Sequence, residues 1–239
     1  MGKIEFSHTM GAHCESGTIT GLLHHAGLEI TEPMVFGLGS GLSFAYLNFP
    51  TLNFPLVAMR NRPGSIVKNV SKRTGITFKT MRFSNPDTGE SVLDELIEKQ
   101  IPVAARVDFF YMTYIPSWAR VHINFHFITV IGKDGAVYYV SDSYHPEVAE
   151  LKVDIMRKGR FAKGSQPPRG FLFYPESIPD TIDYESAIPK SINNVVFTMI
   201  KVPLPIIGVK GIYRFADRII TWPQRARDID HLSHEIMKI

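Results

Sequence analysis

One cysteine, Cys14, is all that the 239 residues contain. No intramolecular disulfide can form, which argues against an oxidised, secreted scaffold and for a reducing, cytoplasmic setting. Long apolar runs are missing too. The most apolar late stretch, residues 195–212, is broken by Lys201, Pro203, Pro205 and Lys210, short of the roughly 20 uninterrupted residues that a membrane-spanning helix needs. The opening Met1-Gly-Lys-Ile-Glu-Phe6 lacks the apolar centre of a signal peptide, and Phe6 stands where a myristoylation signal needs Ser or Thr, so the mature chain is expected to begin here. Charge of one sign is scarce as well: 26 Lys and Arg against 23 Asp and Glu leave a formal +3, dispersed along the chain, which argues against a nucleic-acid partner. Gly37, Gly39 and Gly41 are spaced Gly-x-Gly-x-Gly, not Gly-x-Gly-x-x-Gly, and no strong strand precedes them, so a dinucleotide fingerprint is absent. There is no internal repeat or low-complexity tract.

What is present is ordinary globular material, 44% hydrophobic and 21% charged, long enough to bury one sizeable core. Ile19, Leu22 and Leu23 fall at helical spacing and Gly27 offers a stop, which predicts a helix over 14–25 with Cys14 at its start. Pro33 opens a short helix ahead of the glycine-punctuated run 36–46, where the backbone is expected to turn tightly. Periodicity then predicts helices over 64–74 and 91–99 and strands over 76–81 and 103–110. Residues 121–131 and 136–142, joined by Gly132-Lys-Asp-Gly135, predict a β-hairpin. A helix over 146–158, a loop over 163–170, a strand over 171–174 and helices over 211–222 and 224–238 complete an α+β reading. In the first of those last helices Ile212, Phe215, Ile219 and Trp222 form an apolar stripe.

A thiol attacks as its thiolate, a form that a helix N-terminus and a nearby imidazolium favour. The flanks Gly11, His13, Glu15 and Ser16 are small or polar, which suits the edge of a site better than a core, where a free cysteine acts as a small hydrophobe. His126 stands in the apolar run 125–131, where an unpartnered polar group costs about 1–3 kcal/mol. If the hairpin loop is the three residues 133–135, residues whose numbers sum to 268 face each other, and Asp142 lies opposite His126. Facing side chains share one side of the sheet with Cβ atoms about 5 Å apart, and a one-residue slip would separate them. Cys14, His126 and Asp142 are therefore the predicted nucleophile, base and orienting carboxylate. His122 is the second choice of base, on the same predicted face but about 13 Å further from the hairpin end. A core histidine bonded to one backbone carbonyl is the bland alternative. A metal site from His122, Asn124 and His126 has no cysteine pair or helical His-Glu spacing behind it, and Ser16, Ser40 and Ser143 lack a Gly-x-Ser-x-Gly elbow.

Several separated motifs, His13-Cys14-Glu15-Ser16, the run from Glu32-Pro-Met-Val-Phe to Gly41-Leu42, Val107-Asp-Phe-Phe-Tyr-Met112, His126-Phe-Ile-Thr-Val-Ile-Gly132 and Val140-Ser-Asp-Ser143, resemble the N-terminal domain of butirosin biosynthesis protein H over roughly the first 145 residues. That resemblance implies a papain-like cysteine protease fold related to the peptidases that cut bacteriocin leaders, with Cys, His and Asp in this chain order. It implies an N-terminal helix bearing Cys14 packed on an antiparallel sheet, in a catalytic core over 1–145; residues 146–239, which the resemblance does not cover, are expected to form a C-terminal extension that adds lid or docking helices to the same domain. The implied activity is acyl transfer in specialised-metabolite biosynthesis. Cys14 would take an acyl group from the phosphopantetheine thioester of an acyl or peptidyl carrier protein and pass it to a small amine, similar to a closthioamide-type amide synthase, with no cofactor or metal. Leader peptidases carry Gln six residues before the cysteine, whereas this chain has His8 there, so His8 and the Cys14 backbone N–H are the expected oxyanion donors. Glu32, Asp108 and Tyr111 are expected to contact a cationic amine, and Lys201, Lys210, Arg214 and Arg218 an acidic carrier. The same triad could instead serve a cysteine peptidase or thioester hydrolase, and a non-catalytic binding module is the alternative from another class.

Overall fold

The computed structural model describes residues 2–50, 52–164 and 166–238; Ser165, in the predicted 163–170 loop, lies outside the described residues. Helix α1 (Cys14–His25) begins after His13, whose backbone is extended (φ −143°, ψ 128°) and whose Nδ1 accepts the Ser16 N–H at 3.2 Å. It stops at Ala26, with Gly27 at φ +86°, a left-handed turn that glycine enters without strain. There follow α2 (Glu32–Leu38), β1 (Leu42–Leu47), β2 (Leu56–Arg60), α3 (Ser65–Thr74), β3 (Thr77–Met81) and α4 (Pro86–Glu98). Helix α4 starts earlier than periodicity predicts because the Asn85 side chain caps the Asp87 N–H at 2.7 Å and Pro86 suits a first turn. Next come β4 (Val103–Val107), β5 (His126–Asp134), β6 (Val137–Ser141), β7 (Ala149–Lys152), α5 (Val153–Arg160) and β8 (Leu172–Ser177). The predicted helix over 146–158 is thus a strand followed by a helix. Buried Ala149 and Leu151 alternate with exposed Glu150 and Lys152, the period of a strand. The chain closes with α6 (Tyr184–Val196), a π turn at Phe197–Lys201, α7 (Gly208–Ile219), α8 (Trp222–Arg225) and α9 (Ile229–Ile236). Extended Ala226 and the cap Asp228 split the predicted last helix in two.

Contacts divide the chain into two compact units, each discontinuous: residues 1–35 with 70–182, and 36–69 with 183–239. The division does not fall at residue 145, because β7, α5 and β8 belong to the first unit.

The first unit is built on a six-stranded antiparallel sheet in the order β3-β8-β4-β5-β6-β7. Leu93 and Ile97 of α4 and Met156 of α5 pack with Ile128 and Val130 of β5 in one core. Helix α1 packs on β5 as well, with Thr18 Oγ1 donating to Phe127 O at 3.4 Å. Phe127 is the strand neighbour that alternates away from Ile128, so helices cover both faces.

The β5–β6 hairpin turns on Gly135 (φ +54°) and Ala136, with Asp134 facing Val137, one loop residue fewer than predicted. A bulge between Val130 and Gly132 then shifts the pairing by one, so that Thr129 faces Ser141. That shift decides the site: with the turn register alone His126 and Asp142 would project from opposite faces, and the bulge returns them to the same one. They are not facing partners, as predicted, but diagonal neighbours, Asp142 lying just past the end of β6. At the bulge Lys3 bridges to Gly132 and Ile4 N–H donates to Ile131 O at 2.7 Å. A Cβ on Gly132 would come within 2.8 Å of Lys3 Cα.

The second unit pairs β1 with β2 and carries α6 to α9. Its core is Phe44, Tyr46, Phe54, Val57 and Trp222, with partly buried Phe215 against them, so one member of the predicted stripe is core and a second packs on it. In the glycine run the residue with positive φ is Ser40 (φ 49°). Gly39 instead allows close approach, since a Cβ there would meet Ile66 Cγ2 at 2.5 Å. Among the described residues no helix is long and apolar enough to cross a membrane.

Candidate active site

Cys14 is the first residue of α1, His126 the first of β5, and Asp142 follows β6; they are 5%, 3% and 0% exposed. His126 Nε2 donates to Asp142 Oδ2 at 2.8 Å. The Cys14 thiol is a further hydrogen-bond partner of the ring, which assigns Nδ1 to the sulfur, and Sγ also lies 4.0 Å from Phe125 O. Asp142 is fully occupied. Its Oδ2 also accepts the Tyr114 hydroxyl at 2.7 Å, and its Oδ1 accepts the Tyr144 N–H at 2.9 Å.

Burial alone would push the imidazole down, but the Asp142 carboxylate and the Cys14 thiol outweigh it and hold His126 above its ordinary value, at about 10. Burial likewise opposes the Asp142 charge, yet the imidazolium and the hydrogen bonds from His126, Tyr144 and Tyr114 keep it below the usual carboxylate range. Burial and Asp142 push the Tyr114 phenol well up, so Tyr114 stays a donor. Phe109 meets the His126 ring edge-on at 5.0 Å and Tyr144 lies 5.3 Å away, walls that fix the ring's rotation. Chemically, a buried carboxylate that orients an imidazole beside a thiol is an arrangement that can take up the thiol's proton.

The segment before Cys14 is strapped on two sides. Glu32 Oε2 accepts the Ala12 N–H, and Oε1 accepts the His13 N–H and the Ser16 hydroxyl, each at 2.9 Å. Gly11 N–H donates to Ser143 O at 2.9 Å, and a Cβ on Gly11 would meet Glu32 Oε2 at 2.8 Å. The Glu32 carboxylate therefore holds the loop that leads into Cys14, with both oxygens bonded, rather than making the amine contact expected of it. His8 is corrected too. Its Nε2 donates to His145 O at 3.0 Å and its Nδ1 bonds Ser141 Oγ at 2.7 Å, which leaves no N–H for an oxyanion. In the first turn of α1 Ser16 N–H and Gly17 N–H go to His13, while Cys14 N–H has no acceptor among the described residues, as an oxyanion donor requires.

Asp108 does not reach a free amine either. It is 1% exposed, with Oδ1 accepting the Phe110 and Ile123 N–H groups at 3.1 and 3.0 Å and Oδ2 accepting His122 Nδ1–H at 2.8 Å. His122 precedes β5, so the shared strand face predicted for it does not exist. Its ring stacks on Phe110 at 4.1 Å, and its side chain is 58% exposed. Each of the two histidines holds its own carboxylate, which removes the geometry of a His122, Asn124 and His126 metal site. Tyr111 lies at the rim of this aromatic group, 5.5 Å from Phe110 and 6.2 Å from His122. Lys201, Lys210, Arg214 and Arg218 are all exposed.

The family model described as butirosin biosynthesis protein H, N-terminal, matches residues 13–143. The chain belongs to that family. A second model, a domain of unknown function (DUF4872), matches residues 154–239. The comparison with curated proteins gives no match. Among solved structures, the chain is similar to a double glycine motif protease from an AMS/PCAT transporter in complex with the leader peptide (12% identity, 73% of this chain and 93% of that one, TM-score 0.43). It is also similar to a putative C39-like peptidase from Bacillus anthracis (12% identity, 75% of this chain and 100% of that one, TM-score 0.49).

The butirosin protein H match spans Cys14, Glu32, Asp108, His126 and Asp142. Within it, a helix that begins at the cysteine packs against an antiparallel sheet carrying the histidine and then the aspartate, the arrangement expected of a papain-like fold. Sequence reading missed Tyr114, Tyr144, Phe109 and Ser141. Tyr144 stands two residues from Asp142, but nothing in the spacing of Tyr114 points to a carboxylate 28 residues on.

Proposed function

We propose that this member of the butirosin protein H family is a cysteine acyltransferase that moves an acyl group from a carrier-protein thioester, through an acyl-Cys14 intermediate, to an amine. The Cys14 thiolate attacks the thioester carbonyl, the carrier's sulfur leaves and takes the His126 proton, and the neutral imidazole then accepts a proton from the attacking amine as the amide forms. The Cys14 N–H at the start of α1 is one donor to the oxyanion.

The observation that carries the reading is the buried, fully paired His126, with Asp142 on one ring nitrogen and the thiol on the other. The 5% exposure of Cys14 suits a slender pantetheine arm better than an extended peptide. The cations Lys210, Arg214 and Arg218 recur every fourth residue on α7 and suit an acidic carrier. An unpaired nucleophilic thiol fits a reducing, cytoplasmic compartment.

Intact mass after exposure to an acyl N-acetylcysteamine thioester tests this. An acyl adduct is expected on wild type, with none on Cys14→Ala and a strongly slowed one on His126→Ala. Absence of any wild-type adduct defeats the reading, and free acid as the sole product in excess amine makes the protein a thioester hydrolase.

A further inference from the structure

Beside the paired His126 stands a second histidine and carboxylate pair that the proposed acylation chemistry leaves unused. Asp108 is buried, its Oδ2 takes His122 Nδ1–H at 2.8 Å, and its other oxygen is held by two backbone N–H groups. With Nδ1 donating, the neutral ring presents the lone pair of Nε2, and His122 is largely exposed. Asp108 follows Val107, the residue that pairs with His126 across β4 and β5, so the two pairs share one end of the sheet. Phe109 touches His126 while Phe110 stacks on His122. Phe125, whose carbonyl lies 4.0 Å from Cys14 Sγ, stands three positions after His122. At no more than about 3.6 Å per residue, the Cα atoms of His122 and Phe125 are within about 11 Å.

We infer that His122, positioned by Asp108, is the base that receives the acyl acceptor, a primary alkylamine that arrives as its ammonium ion. This inference rests on the acyltransferase reading. A pair composed of a carboxylate and a neutral imidazole carries net negative charge and, walled by Phe110 and Tyr111, attracts a cation. The ammonium gives one proton to His122 Nε2, which passes it to water. The free amine then attacks the Cys14 thioester: the C–N bond forms, the C–S bond breaks, sulfur leaves as thiolate, and the second amine proton goes to His126. Asp108 acts through His122 and touches no substrate.

The experiment compares two acceptors on acyl-Cys14 formed from an N-acetylcysteamine thioester: 1,4-diaminobutane, which is protonated at neutral pH, and hydroxylamine, which is not. In His122→Gln the rate with diaminobutane is expected to fall about 100-fold while the rate with hydroxylamine stays within a few-fold, and added imidazole is expected to restore part of the loss. Equal loss with both acceptors, or no loss with either, overturns the assignment. Should His122→Gln be misfolded by circular dichroism, His122→Asn is judged on the same ratio. A wild type that forms no hydroxamate at all overturns the acyltransferase reading instead, so the two failures are distinguishable.

Discussion

His126 carries a charge in a place where burial opposes charge, and Asp142 makes that tolerable. Its raised value means that its contribution to stability is complete below about 6.5, the unfolded value, and is lost as pH rises through about 10. Wild-type unfolding free energy is therefore expected to decline across that alkaline window. Asp142, held low, contributes above the ordinary carboxylate value and loses its contribution on acidification. In Asp142→Asn the opposing effect of burial on His126 prevails, and the dependence reverses, with stability lost on acidification below about 6.5. Denaturant titrations at a series of pH values measure both slopes; an unchanged slope in Asp142→Asn would contradict the pairing. Tyr114→Phe removes one of the donors to the same carboxylate, and a loss of about 1.5–3 kcal/mol is expected, measurable as a lower urea midpoint at neutral pH. The grouping of Cys14, His126 and Asp142 was legible in the sequence because a polar His126 in an apolar run needs a partner, the hairpin offers Asp142, and Cys14 starts a helix between small or polar flanks. Tyr114 was not, since a tyrosine in an irregular segment gives no period from which to infer its contact. Glu32, Asp108 and His8 were singled out correctly as unusual but for the wrong contact, because the sequence does not say that backbone N–H groups or a neighbouring histidine will fill them.

At the scale of elements, the bulge in β5 does what residue identity cannot. It adjusts the parity of a strand, and that parity places a carboxylate beside its imidazole. Sequence reading reached the right face by an erroneous loop length, because one fewer turn residue and one bulged residue leave the parity unchanged. The helix at 14–25 was legible from its apolar spacing and its glycine stop, whereas β1 and β2, short, half-exposed and adjoining Gly41 and Pro55, were not, nor was the four-residue β7. Gly132→Ala is expected to push against Lys3 and cost about 1–3 kcal/mol. Hydrogen exchange at the Ile4 amide, bonded to Ile131 O, should quicken with it; unaltered protection would show that the contact is dispensable. Glu32→Ala unfastens the Ala12 and His13 amides before Cys14 and the Ser16 hydroxyl after it. A slower acylation rate is expected with wild-type affinity for the thioester, read from the saturation curve of adduct formation.

For the whole molecule, the discontinuous division carries a prediction that a linear reading would invert. The 13–143 match suggests a module that could be cut out near residue 145, yet β8, from residues 172–177, lies between β3 and β4 in the first unit's sheet. A 1–145 fragment is expected to lack a cooperative unfolding transition by circular dichroism, and a fragment that melts like the intact protein would contradict the topology. In the sequence the motifs end near residue 145, while the strand that completes the sheet carries no motif to mark it.

The late position of that strand also sets an order of events at the ribosome. Cys14, His126 and Asp142 have all been synthesised some thirty residues before β8, so a nascent chain holds all three side chains of the proposed triad while β3 still has no neighbour through which to join the sheet. Side chains and fold are thereby separated in time, and the sheet on which the proposed site stands is completed only when a segment with no part in the proposed chemistry has been delivered.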